Sequence, residues 1–121
     1  MMKNSFGDLF LKGSDLMKVK EIFNFFISEY HVDLRDTKIF FISLNQAGYY
    51  DVNDDYIAIN SNNNNITREL TILHELTHRM ITLNNWIIPI DIEEEYCKYV
   101  TLLYVEKTFG KEAVSLVKDL I

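Results

Sequence analysis

The chain is poor in the residues that usually staple or interrupt a fold. Of its 121 residues, one is cysteine, one is proline and four are glycine. A lone Cys97 excludes an internal disulfide and points to a reducing, cytoplasmic setting. Basic charge is also short: twelve Lys and Arg against eighteen Asp and Glu give a net charge of −6, which argues against nucleic acid or an anionic membrane as partner. No apolar run approaches membrane-spanning length, and no basic start followed by an apolar stretch suggests a secretory signal. With 48% apolar and 25% charged residues at this length, one globular domain covering residues 1–121 is expected. Residues 1–13 carry little pattern and are expected to be a mobile start.

Histidine is scarce as well, and that gives weight to where it occurs. Two of the three histidines fall in His74-Glu-Leu-Thr-His78. The surrounding segment, from Ile66 to Met80 and beyond, reads as helix, so His74 and His78 at i and i+4 share a face and can aim two imidazoles at one metal ion. Glu75 lies about a quarter-turn round, placed to take a proton from a metal-activated water without binding the metal itself. The spacing arises by chance in roughly one chain in several hundred of this length. It would also suit an amphipathic helix with two surface histidines. Against that, Ile66, Leu70, Leu73, Leu76, Met80 and Leu83 spread over more than half the circumference, the pattern of a helix packed inside a domain. Buried histidines need partners. The third, His31, sits at the end of an earlier helix, where it would simply face the helix dipole.

The element order expected is helix, three strands, three helices, an α+β arrangement. Ser14-Asp15 caps an amphipathic helix ending near Tyr30. Strands are expected at residues 38–44, 49–52 and 56–60, and the polar run Ser61 to Asn65 ends as the cap of the histidine helix. Asn84-Asn85 stops that helix, and Asp91 caps another running to about Lys107. Gly110 breaks it before a last amphipathic helix over residues 111–121.

A catalytic zinc takes three protein ligands and leaves one position for water. The long zinc-protease signature needs a glycine and a histidine where this chain has Ile81 and Asn84. The deformylase pattern needs an upstream cysteine, and none precedes Cys97. Glu93, Glu94 and Glu95, early in the next helix, remain. Its periodicity puts Ile92, Tyr96, Tyr99 and Leu103 on a buried stripe, with the small Cys97 and Thr101 beside it. Small side chains would let the two helices approach closely, which favours Glu94, three residues before Cys97. Glu93 and Glu95 stay open, and a glutamate there also suits the helix N-terminus. Cys97 is read as packing, not as a ligand.

The histidine motif followed by Glu94-Glu-Tyr-Cys-Lys-Tyr-Val100 resembles the gluzincin metallopeptidases. Its compactness is similar to their minimal single-domain, zincin-like members, including the ImmA/IrrE-type peptidases of mobile elements and phages. The resemblance covers roughly residues 38–106, specific at the metal motif and loose elsewhere. It implies a Zn2+ ion held by His74, His78 and Glu94, with Glu75 as general base in peptide hydrolysis. It also implies that Tyr56-Ile-Ala-Ile-Asn60 is an edge strand binding a protein or peptide substrate in extended form. Larger gluzincins often orient a histidine with an acidic residue four after the ligand, where this chain has Lys98; Asp91 or a backbone carbonyl would then have to serve. Tyr49, Tyr50, Tyr96, Tyr99 and His31 are candidate donors to the oxyanion. The alternative is a non-catalytic, zinc-stabilised protein-binding module on the same scaffold; Glu75 counts against it, since a structural site needs no base.

Overall fold

The computed structural model describes the backbone of residues 13–121 and side chains from Lys18 onward. Residues 1–12, most of the pattern-poor start, lie outside the described residues. Among the described residues, four α-helices and a three-stranded mixed sheet make an α+β fold. Helix α1 spans Gly13–Tyr30 and buries Val19, Ile22, Phe23 and Phe26, spaced three and four apart as a single packed face requires. It ends on His31, whose φ of 55° is left-handed while its N–H bonds back to Ile27 O at 3.1 Å. That histidine is a backbone cap.

Strands β1 (Lys38–Ile42), β2 (Gly48–Asp51) and β3 (Tyr56–Asn60) lie in the order β1-β3-β2. β1 runs parallel to β3, with Ile39 opposite Ile57, and β2 runs antiparallel to it, with Tyr50 opposite Ile57. β3 is therefore the central strand, correcting the expectation that Tyr56–Asn60 is an edge. The physical reason is in its side chains: Ile57, Ala58 and Ile59 are consecutive and all buried, as in a strand covered on both faces. β1 alternates instead, burying Ile39 and Phe41.

Helix α2, Asn65–Leu83, starts one residue past its cap Asn64, whose side chain accepts from Thr67 N–H at 2.8 Å. Leu70, Leu73, Leu76 and Met80 are buried, whereas Ile66 and Leu83 at its two ends are exposed. Asn85, at φ 57°, terminates it, and Trp86 N–H reaches back to Ile81 O at 3.1 Å. Helix α3, Ile90–Phe109, begins at Pro89 without a side-chain cap, so Asp91 is a first-turn residue and not the expected cap. Gly110, at φ 94°, separates α3 from α4, Lys111–Val117, which gives way to a 3₁₀ turn at Lys118–Leu120. None of the described helices is long and apolar enough to cross a membrane.

The buried face of α3 is not the expected stripe. Ile92 and Tyr99 are exposed, Tyr99 stacking on Tyr96, whose ring also meets Trp86 edge-on, while Cys97, Val100, Thr101 and Tyr104 face inward. Thr101 satisfies its own hydroxyl on Cys97 O at 2.8 Å, so the small strip costs no unpaired polar group.

β2 is held close to α2 at Gly48. A Cβ there would lie 2.7 Å from Ala58 O and 2.8 Å from Thr71 Cγ2. Gly48→Ala must move either the strand pairing or the helix. It is expected to lower stability by about 1–3 kcal/mol, measured by urea unfolding; an unchanged midpoint would show that β2 stands further from α2.

Candidate metal centre

The second half of α2, from His74 onward, and the first two turns of α3 converge beside β2. His74 Nε2 lies 3.1 Å from Glu94 Oε1, and His78 Nε2 lies 2.8 Å from Glu94 Oε2. The two rings are 5.0 Å apart, centre to centre. One carboxylate thus spans both imidazoles. On the far side of the His78 ring, Nδ1 meets Glu93 Oε2 at 2.5 Å. Glu95, 75% exposed in its side chain, pairs with Lys98 at 3.4 Å and takes no part. Of the three glutamates left open by the sequence, Glu94 faces the histidine pair, Glu93 backs one of them, and Glu95 faces solvent.

Cys97 is also close: its Sγ and a ring nitrogen from each of His74 and His78 lie within 4.8 Å of one another. In the metal-free chain burial first, then the charges of Glu94, Glu93 and Glu75, push its thiol far above the usual range. The Glu94 oxygens lie nearer to the imidazoles and are more accessible.

Burial, and next the neighbouring His78, hold His74 below the ordinary histidine range, despite the opposing pull of Glu94. His74 is therefore neutral, the form in which imidazole ligates a metal. Glu75 is buried, and its carboxyl is pushed up to about 7, chiefly by loss of solvation, with Glu94 adding to the rise. A hydrogen bond from the Tyr50 backbone N–H opposes that shift. A carboxylate poised near neutrality is what a general base needs.

That amide bond also tells how β2 is turned. In an antiparallel pair, alternate residues direct their backbone groups to the partner or away from it. With Tyr50 turned toward Glu75, Gly48 and Tyr50 present their amides and carbonyls to the open side. Gly48, Tyr49, Tyr50 and Val52 form one wall of a cleft of about 420 Å³, opposite His74, Glu75, His78, Glu93 and Glu94, with Ile90 and Thr82 at its end. A smaller pocket of about 210 Å³ continues past His74 and Glu75 to Ala47, Leu70, Thr71, Leu120 and Ile121.

Of the expected oxyanion donors, Tyr49 and Tyr50 line this cleft; Tyr96, Tyr99 and His31 do not. Both cleft hydroxyls are engaged, Tyr49 with Tyr56 at 3.1 Å and Tyr50 donating to Asp55 at 2.8 Å. Behind Tyr50 stands a network that sequence reasoning missed. Arg79, 3% exposed, grips Asp55 through Nε at 2.8 Å and Nη2 at 3.0 Å. Its Nη1 reaches Asp36 at 2.9 Å and Thr37 Oγ1 at 2.8 Å. One arginine next to His78 thus pins the β2–β3 turn and the segment before β1 to the C-terminal part of α2. No sequence signal set it apart, since α2 also carries Arg68, Glu69 and Glu75.

Compared with protein-family models, curated proteins and solved structures, the chain matches none of them. What the cleft can do rests on its own geometry.

Proposed function

We propose that this chain is a zinc-dependent peptidase that holds its metal with His74, His78 and Glu94 and uses Glu75 as general base. One observation carries the reading. His78 has both ring nitrogens against carboxylates, Glu93 at 2.5 Å and Glu94 at 2.8 Å. A neutral imidazole has one N–H, so one of those contacts sets a lone pair against a negative oxygen unless a second proton or a cation lies between them. A cation at Nε2 would relieve that contact for His78 and would serve His74 through the same Glu94 carboxylate. Two imidazoles and a carboxylate are a donor set that zinc takes; ligands about 2.0–2.1 Å from a tetrahedral ion stand about 3.3 Å apart, so the 2.8 and 3.1 Å contacts here would open by a few tenths of an ångström around the ion.

Bound there, zinc supplies Lewis acidity, easing deprotonation of water and polarising a carbonyl. The residues of the chain do the rest. Glu75, a residue from His74 and reaching into the same cleft, accepts the proton of the attacking water and delivers it to the leaving amine. The substrate is a protein segment in extended form, paired with the outward amide of Gly48 and the outward carbonyls of Gly48 and Tyr50. The edge role expected of Tyr56–Asn60 passes to β2, the antiparallel edge beside Glu75.

A ligand scan tests the assignment. Glu94→Ala and His78→Ala are expected to abolish stoichiometric zinc binding in a chelator-competition titration, whereas Glu95→Ala and Cys97→Ala retain it. Retention by Glu94→Ala together with loss by Cys97→Ala would put the thiol in the ligand set in place of Glu94.

A further inference from the structure

We propose that Glu93 is the positioning residue of the metal centre: it fixes the ring of His78 so that Nε2 faces Glu94 bare of its proton. The inference rests on the zinc reading, since it concerns how His78 is presented to the ion. Three observations combine. The contact is made to Nδ1, the nitrogen on the opposite side of the ring from the one that meets Glu94. Both partners are largely shielded, with His78 14% and Glu93 19% exposed in their side chains, so water competes little for either. Finally, Glu95 is turned away to Lys98 at 3.4 Å and Glu94 meets Nε2, so of the three adjacent glutamates Glu93 is the one at Nδ1.

The geometry separates the two glutamates by role. The lone pairs of an imidazole point away from each other across the ring. A carboxylate bonded to Nδ1 therefore cannot ligate an ion held at Nε2 by the same ring, and Glu93 and Glu94 clamp His78 from opposite sides. Accepting Nδ1–H selects one neutral tautomer, holds the ring plane and makes Nε2 a better donor. Because Glu93 immediately precedes Glu94 on α3, a single helical turn delivers both the ligand and the group that orients its neighbour. Placement of α3 against α2, set by the buried Cys97 and Thr101, positions the pair together.

The test uses the full chain and zinc alone. Chelator competition is run on wild type, Glu93→Gln and Glu93→Ala, with circular dichroism confirming that each is folded. The ¹⁵N ring shifts of His78 are recorded in the zinc-loaded proteins. Expected is zinc affinity weaker by about 10–100-fold in Glu93→Ala. Glu93→Gln, whose amide oxygen still accepts from Nδ1–H, should lose less. Wild type should show the Nδ1–H tautomer, and Glu93→Ala should lose that single form. Unchanged affinity and unchanged tautomer in both variants would overturn the role of Glu93 while leaving the zinc site standing. Complete loss of zinc in both, with Glu94→Ala still binding, would overturn it by making Glu93 the ligand. No zinc bound by wild type would overturn the peptidase reading and this one with it.

Discussion

Glu75→Gln is expected to stop peptide hydrolysis while leaving zinc bound at wild-type stoichiometry. The side chain is nearly isosteric and stays in the cleft, but an amide cannot take a proton from water at neutral pH. General-base catalysis is worth about 10²–10⁴ in rate, so turnover of a quenched-fluorescence peptide library should fall at least a hundred-fold. Retained cleavage would remove Glu75 from the mechanism. The same variant has a second signature in the metal-free chain. Burial raises the folded pKa of Glu75 to about 7, above its ordinary 4.5, so the folded state holds that proton more tightly than the unfolded state. The associated stability is fully present below 4.5 and is lost as pH climbs through 7. Relative to wild type, the metal-free Gln variant should therefore gain stability at pH 8 and not at pH 4. Equal differences at the two pH values would mean that Glu75 is ionised and well solvated in the fold.

Arg79→Ala is expected to destabilise the fold by about 3 kcal/mol in urea unfolding. The guanidinium is buried, and its removal leaves Asp55, Asp36 and Thr37 without their shared donor. The estimate sits at the low end for a broken buried pair because Asp55 and Asp36 are 47% and 76% exposed in their side chains and can rehydrate. Arg79→Lys should recover only part of the loss, since an ammonium cannot fork to Asp55 while reaching Asp36 and Thr37. Tyr50 also loses the fixed position of its acceptor, and with it β2 is held less firmly beside Glu75. A cost below about 1 kcal/mol would show that the network is a surface pair with a buried stem.

The features most legible in the sequence are those whose cause is local. The 3.6-residue apolar period and the asparagines at both ends defined α2 to within a residue or two. β-branched and aromatic runs located all three strands, and Gly110 marked the break before α4. Strand order was not legible from such signals: β3 became central because β1 pairs with it in parallel from further back in the chain. Its consecutive Ile57-Ala58-Ile59 was the one hint. In α3 the apolar residues surround the helix, so periodicity could not orient it, and the stripe through Ile92 and Tyr99 faces solvent. The small strip at Cys97 and Thr101 was the better guide, since close helix approach depends on side-chain size, and it singled out the glutamate that meets both histidines. Glu93 was legible only as an alternative ligand, not as the partner of His78 Nδ1, and Arg79 not at all, because their partners lie 15 and 24 or more positions away.

Zinc titration of the metal-free wild-type chain, followed by thermal unfolding, tests the central claim most directly. The account predicts one zinc bound per chain. Saturation at a hundred times the Kd should add about 2.7 kcal/mol, on the order of 10 °C in Tm. A chain that binds no zinc and unfolds at the same temperature with and without it would contradict the account at its base, whatever else the cleft then proved to hold.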